Sequence, residues 1–166
     1  MNDLVLKTID FLKYTFENSS YLQKHPTERA YRLEHSFRVA NAAKAIAAKE
    51  GFNTDYAVIA GLLHDIAYCE EMLTRDEQRN HGRRSAQIAR PFLTELGLCE
   101  TAVNDICFAI AIHVDDKADF EWTRSAFSET VGDADNIDRF DAYRIYETLE
   151  YNKFSEMPLG DKLDIP

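Results

Sequence analysis

Tyr56-Ala57-Val58-Ile59-Ala60-Gly61-Leu62-Leu63-His64-Asp65 and Ile106-Cys107-Phe108-Ala109-Ile110-Ala111-Ile112-His113 are the stretches on which the fold turns. In the first, eight apolar or glycine residues run into a histidine-aspartate pair; in the second, seven apolar residues run into a histidine. On composition alone the second run also fits a buried strand, because periodicity does not separate a short apolar strand from a buried helix. The surrounding sequence decides for helix. Leu4, Leu6, Ile9, Phe11, Leu12 and Phe16 recur at helical spacing before Asn18-Ser19-Ser20. Leu33, Phe37, Ala40, Ala43 and Ile46 do the same across a segment from Glu28 to Lys49, which Gly51 stops as a C-terminal cap.

The remaining elements follow from caps and breakers. Thr54 reads as the N-cap of a helix from Asp55 to about Tyr68. The charged stretch Glu70 to Asn80 reads as a loop, followed by a helix from Asn80 to Leu96 that Gly97 closes and Pro91 kinks or interrupts. Thr101 to His113 is the next helix, and Val114 to Arg124 an acidic loop. Ser125 to Leu149 reads as a long last helix, with Gly132 the place for a break, and 152–166 as a weakly periodic tail. No strand alternation persists, so the expected fold is an all-α bundle of six to seven helices.

The chain has 166 residues, 45% of them hydrophobic and 29% charged, and a net charge of −10. That length suits one compact domain and needs no disulfide or structural metal to build a core. The acidic balance argues against nucleic-acid polymers, which require a basic face, and against a polybasic membrane contact. Cys69, Cys99 and Cys107 form no Cys-x-x-Cys pair and read as reduced thiols. The N-terminus lacks the basic start and apolar run of a signal peptide, so a cytoplasmic location is expected.

The chemistry gathers where apolar runs end in polar residues. A helix apolar on all sides is normally buried, so the His64-Asp65 pair at its end is expected to be partly buried too. A buried carboxylate needs a partner: an arginine, backbone amides or a metal each meet the need. The chain holds five histidines, His25, His35, His64, His81 and His113, and no two stand at i and i+4. Any metal site must therefore be assembled by tertiary folding. Downstream, Asp133-Ala134-Asp135-Asn136-Ile137-Asp138 places three carboxylates in six residues. Imidazoles and carboxylates suit Fe, Mn, Zn, Ni or Co, and the set lacks the thiolates of a structural zinc site.

His35-Ser36-Phe37-Arg38-Val39-Ala40, Leu62-Leu63-His64-Asp65-Ile66-Ala67 and the later Asp-Ala-Asp-x-x-Asp block resemble the HD-domain metal-dependent phosphohydrolase superfamily. His81, before Gly82-Arg83-Arg84, and His113 resemble the two extra histidines of its dinuclear branch. The resemblance covers residues 27–146 within one HD domain spanning 1–166, with a helix over 3–18 before it and the 152–166 tail after it. Ala67 stands where several branches carry glycine, and the Gly-Tyr-Pro motif of the cyclic-di-GMP phosphodiesterase branch is absent.

The resemblance implies one or two divalent ions per chain, of Fe, Mn, Ni, Co, Zn or Mg. It implies a first metal at His35, His64, Asp65 and Asp135, with Asp133 the fallback for Asp135. Asp65 would bridge to a second metal held by His81 and His113. The implied reaction is hydrolysis of a small phosphate ester, nucleotide or phosphoanhydride by hydroxide generated at the metals, with His64, Asp65 and Asp138 in the catalytic centre. Asp138 reads as supporting the ligands or facing substrate, and Arg38 as its structural partner. Arg83, Arg84 and Lys117 are candidates to hold the phosphate. His25 reads as exposed and outside the pattern. Phe120, Trp122 and Phe127 read as nucleobase contacts or as anchors of the acidic loop. The rival readings are a mononuclear nucleotide phosphohydrolase, a di-iron oxygenase and a non-catalytic nucleotide-binding module.

Overall fold

The computed structural model describes residues 2–140, 142–151 and 153–163. Among them are seven α-helices and no strand: α1 (Asp3–Glu17), α2 (Pro26–Glu50), α3 (Thr54–Leu63), α4 (Arg75–Glu95), α5 (Glu100–Ile112), α6 (Ala126–Arg139) and α7 (Ala142–Tyr151). Short 3₁₀ turns span Ile66–Cys69, Phe154–Glu156 and Asp161–Leu163. None of the described helices is long and apolar enough to cross a membrane.

Local chemistry sets the helix ends. Pro26 occupies the first turn of α2, where its missing N–H costs nothing, and Gly51 closes the helix at φ +76°. The cap of α3 is Asn53, one residue before Thr54; its side chain accepts from the Asp55 and Tyr56 amides. α3 also ends earlier than the expected Tyr68. The chain leaves the α-helix at His64-Asp65 and tightens into the 3₁₀ turn. Beyond that break the Asp65 carboxylate and the Tyr68 ring both meet Arg32.

α4 begins at Arg75 rather than Asn80. Thr74 and Glu77 form a reciprocal capping box, which draws the charged stretch into the helix. The helix runs through Pro91, whose ring lies on the exposed side. The expected Ser125 to Leu149 helix is two helices. Ser125 and Ser128 cap α6 reciprocally, Gly132 lies inside it, and the interruption falls at Phe140, before α7.

α3 and α5 form the centre of the bundle. Ile59, Leu62 and Leu63 from α3 and Ile106 and Ile110 from α5 are almost wholly buried, and α1, α2, α4 and α6 pack around them. α1 adds Leu12 and Phe16 to the same core, and its Phe11 stacks on Phe92 at 4.0 Å. Gly61 permits the tight α2–α3 crossing, since a Cβ there would lie 2.7 Å from Ala40 Cα. This crossing sets His35 of α2 beside His64 at the end of α3.

Candidate metal centre

Four imidazole Nε2 atoms and two carboxylates converge at the ends of α3 and α5. His35 Nε2 lies 3.1 Å from His64 Nε2, 3.5 Å from Asp65 Oδ2 and 3.3 Å from Asp135 Oδ1. His64 Nε2 is 3.7 Å from Asp65 Oδ2 and 3.9 Å from Asp135 Oδ1. The other Asp65 oxygen, Oδ1, lies 3.0 Å from His81 Nε2 and 3.8 Å from His113 Nε2, and those two nitrogens are 3.1 Å apart. One carboxylate thus faces two nitrogen pairs with different oxygens. A carboxylate can do this and a single imidazole nitrogen cannot.

The opposite ring nitrogens fix the tautomers. His64 Nδ1 is 2.7 Å from the Gly61 carbonyl, His81 Nδ1 2.5 Å from that of Gln78, and His113 Nδ1 2.6 Å from that of Ile110. A carbonyl only accepts, so each Nδ1 donates and each neutral ring offers a bare Nε2 lone pair inward. His35 differs: its Nδ1 donates to Asp138 Oδ2 at 2.8 Å. Arg38 donates to the same Asp138 carboxylate, from Nε at 2.6 Å and Nη2 at 3.2 Å.

The titration behaviour follows from burial and charge. Burial pushes the His113 imidazolium down to about 4, so that ring is neutral near pH 7. His64 is lowered for the same reason. Burial also presses on His35, but the Asp135 and Asp65 carboxylates outweigh it and hold its imidazolium up at about 9. Burial raises the Asp65 carboxyl, yet the surrounding imidazoles hold it well below the usual carboxylate range. Asp135 is held at about 2, against burial, by His35 and His64.

A divalent cation fits this donor set. The His81 and His113 Nε2 atoms face each other at 3.1 Å with Asp65 Oδ1 beside them, a contact that a proton held on His81 by Asp65, or a cation in its place, would satisfy. His35, His64 and Asp135 offer ligand atoms mutually within 4.8 Å, as do His64, Asp65 and His113. The N/O chemistry suits first-row divalent metals.

All six sequence-derived ligand candidates meet here, and Asp135 rather than the exposed Asp133 faces His35. Asp138 does not reach the Nε2 side; it holds the back of the His35 ring. The arginine doublet is already bonded. Arg83 pairs with Asp115 at 2.6 Å and also meets Asn80, while Arg84 pairs with Glu70 at 2.6 Å. Lys117 is exposed, and its carbonyl accepts from Arg83. His25 is exposed at the start of α2. Trp122 donates to Asp105 and Phe120 packs under Arg90, so both anchor the acidic loop.

Two residues at the centre escaped the sequence reading. Arg32 Nη1 lies 3.1 Å from Asp65 Oδ2, and its guanidinium stacks 3.3 Å above the Tyr68 ring. Tyr68 also meets the His81 ring, at 5.0 Å. The signal for Arg32 was its position three residues before His35, on the same helix face.

The family model of the HD domain matches residues 32–143. No curated protein matches the sequence at a significant level. Among solved structures, the chain is similar to the crystal structure of a predicted HD superfamily hydrolase from an uncultured Thermotogales bacterium. The two share 26% identity with a TM-score of 0.67, over 87% of this chain and 74% of that one. With the match spanning all six converging candidate ligands, the chain belongs to the HD-domain family.

Proposed function

We propose that the protein is a metal-dependent hydrolase acting on a small phosphate ester or phosphoanhydride. The observation that carries this reading is the two-sided Asp65 carboxylate, with Oδ2 toward His35 and His64 and Oδ1 toward His81 and His113. His35, His64, Asp135 and Asp65 would hold one divalent ion, and Asp65, His81 and His113 a second. Bound there, such ions lower the pKa of water and neutralise charge on a phosphoryl oxygen. In a mononuclear site His81 and His113 would serve the substrate as acid or positioning groups; their Nε2 atoms, both turned toward Asp65 Oδ1, favour the dinuclear form. Similarity to an HD superfamily hydrolase supports the hydrolytic class.

The chain's own groups have distinct tasks. Asp138 and the three backbone carbonyls hold the Nδ1 protons, so the ligand lone pairs point inward. Arg32 would be a phosphate contact nearer the centre than the Arg83-Arg84 doublet. Its Nη1 lies at Asp65, and its buried Nε makes no hydrogen bond. That Nε stands 3.8 Å from Glu28 Oε1, and a phosphoryl oxygen reaching it would supply the missing acceptor.

The test is metal counting with parallel assays of phosphate release and oxygen consumption, using Mn, Fe, Co, Ni and Mg. Two ions per chain and phosphate release with redox-inert metals are expected. Asp65→Ala and His64→Ala should lose metal and activity while helicity remains. Oxygen consumption without phosphate release would turn the assignment to an oxygenase, and intact binding with no turnover to a nucleotide-binding module.

A further inference from the structure

Beside the metal centre, a cavity of about 870 Å³ opens between the start of α2 and α7. Its walls include Glu28, Tyr31, Arg32, Tyr146, Glu150 and Tyr151. Two of these residues also touch the centre. Arg32 Nη1 lies 3.1 Å from Asp65 Oδ2, and the Tyr31 ring stacks parallel to that of His35, with centroids 6.0 Å apart. A molecule in the cavity therefore abuts the proposed ligands through Arg32 and Tyr31.

We infer that this cavity holds the organic part of the substrate and selects a flat, uncharged aromatic group bearing a single phosphate. The inference rests on the hydrolytic reading above and adds a substrate class to it. The volume lies within the range of roughly 300–1,000 Å³ usual for small-molecule sites. Tyr31, Tyr146 and Tyr151 are among its described lining residues. Tyr146 and Tyr151 are 59% and 89% exposed, an unusual outlay of ring surface on one short helix. Rings so placed gain by covering an aromatic partner, and stacking tolerates many ring chemistries.

Charge sets the limit on phosphates. Arg32 is the one cation among the described lining residues, and its guanidinium already faces Asp65. Glu28 and Glu150 stand in the same walls, on a chain of net charge −10. The first phosphate would lie at Arg32 and the residues proposed to hold the metals. A second or third, extending into the cavity, meets carboxylates, and the described lining residues offer no further cation to offset them. A neutral ring meets no such penalty.

The experiment compares binding by calorimetry to the manganese-loaded protein, using two analogues that are not phosphate esters: phenylphosphonate and methylphosphonate. Phenylphosphonate should bind at least about tenfold more tightly. The double variant Tyr146→Ala/Tyr151→Ala should bring the two to similar affinity, with circular dichroism checking that the fold is kept. Adenosine monophosphate should displace phenylphosphonate at about tenfold lower concentration than the magnesium complex of adenosine triphosphate, and Glu150→Gln should narrow that gap. Equal binding of the two phosphonates, or a preference unchanged in the double variant, overturns the aromatic subsite. Triphosphate binding as well as monophosphate overturns the charge limit. Phosphate release from phenyl phosphate is read separately. Its absence beside intact phosphonate selectivity defeats the hydrolytic reading and leaves the subsite standing.

Discussion

Asp138 governs the centre from behind. It accepts from His35 Nδ1 at 2.8 Å and from Arg38 Nε at 2.6 Å, so it fixes the ring that offers Nε2 to the other ligands. In the metal-free chain, burial lowers the His35 imidazolium, while Asp135, Asp65 and Asp138 together hold it at about 9. His81 is raised too: burial presses it down, and Asp65 overrides. The His35 pKa lies above its ordinary 6.5, so the charged ring stabilises the metal-free fold fully below about 6.5, and this contribution is lost as pH rises through about 9. A metal must displace those protons. Its affinity should therefore climb with pH by about one order of magnitude per unit for the His35 proton and level off above about pH 9. Competition against a chelator from about pH 6 to 9.5 measures the slope, and a flat profile would refute it. Asp138→Asn should weaken metal binding by about 10–100-fold and move the upper end of the slope to lower pH. At this scale the sequence already carried much of the centre, because His64-Asp65, His35 and the aspartate block name their chemistry by residue type. What it lacked was the facing surface. Helical arithmetic puts Arg32 on the side of His35, but only packing shows that Asp65 and the Tyr68 ring lie opposite.

At the scale of elements, the second half of the centre depends on how closely α4 approaches α5. His81 comes from α4 and His113 from the residue capping α5, and Gly82 lies at their contact. A Cβ on Gly82 would stand 2.8 Å from the Ala111 carbonyl oxygen, 3.0 Å from that of Ile110 and 3.1 Å from His113 Nδ1. Two of those neighbours are backbone and cannot swing away. Gly82→Ala should force α4 outward, part the His81–His113 pair and remove one metal while the His35–His64–Asp135 side keeps its own. A metal count falling from two toward one is the readout. A count unchanged at two would show that α4 is not held so tightly. Sequence patterns located the helices here better than their ends. The end of α2 was readable because Gly51 adopts a left-handed conformation that few other residues accept. The start of α4 was not, because Thr74 and Glu77 sit in a charged stretch whose composition also suits a loop. The α6–α7 interruption was misplaced at Gly132 because a glycine signals a break only when nothing packs over it. Here the His113 backbone lies against it: a Cβ on Gly132 would stand 3.7 Å from both the His113 Cα and its carbonyl oxygen, and α6 continues.

For the whole molecule, the question is whether the metals hold the fold or the fold holds the metals. The ligands arrive from α2, the α3 terminus, α4, the α5 terminus and α6, so a bound ion ties several of these five segments together. The core does not wait for that tie. Leu12, Phe16, Ile59, Leu63, Leu93, Ile106 and Ile110 are almost wholly buried and contribute no ligand atom to the centre. α1 lies outside the matched 32–143 region and still contributes to that core. All-helical class and the central place of the two apolar runs were therefore readable from hydrophobic spacing alone, while convergence of the ligands required three-dimensional packing. A ligand that binds only the native state stabilises it by about 2.7 kcal/mol at one hundred times its dissociation constant. For a chain of this size that is a rise of roughly 5–10 °C in Tm. Chelation should accordingly lower Tm by about that amount and leave the helical circular dichroism at 25 °C unchanged. Leu12→Ala, far from the centre in sequence and wholly buried, should cost about 2–5 kcal/mol in either state. The two losses should add, because the sites share no partner. Unfolding on chelation at room temperature would mean that the buried charges of the centre, not the apolar core, decide whether this chain folds.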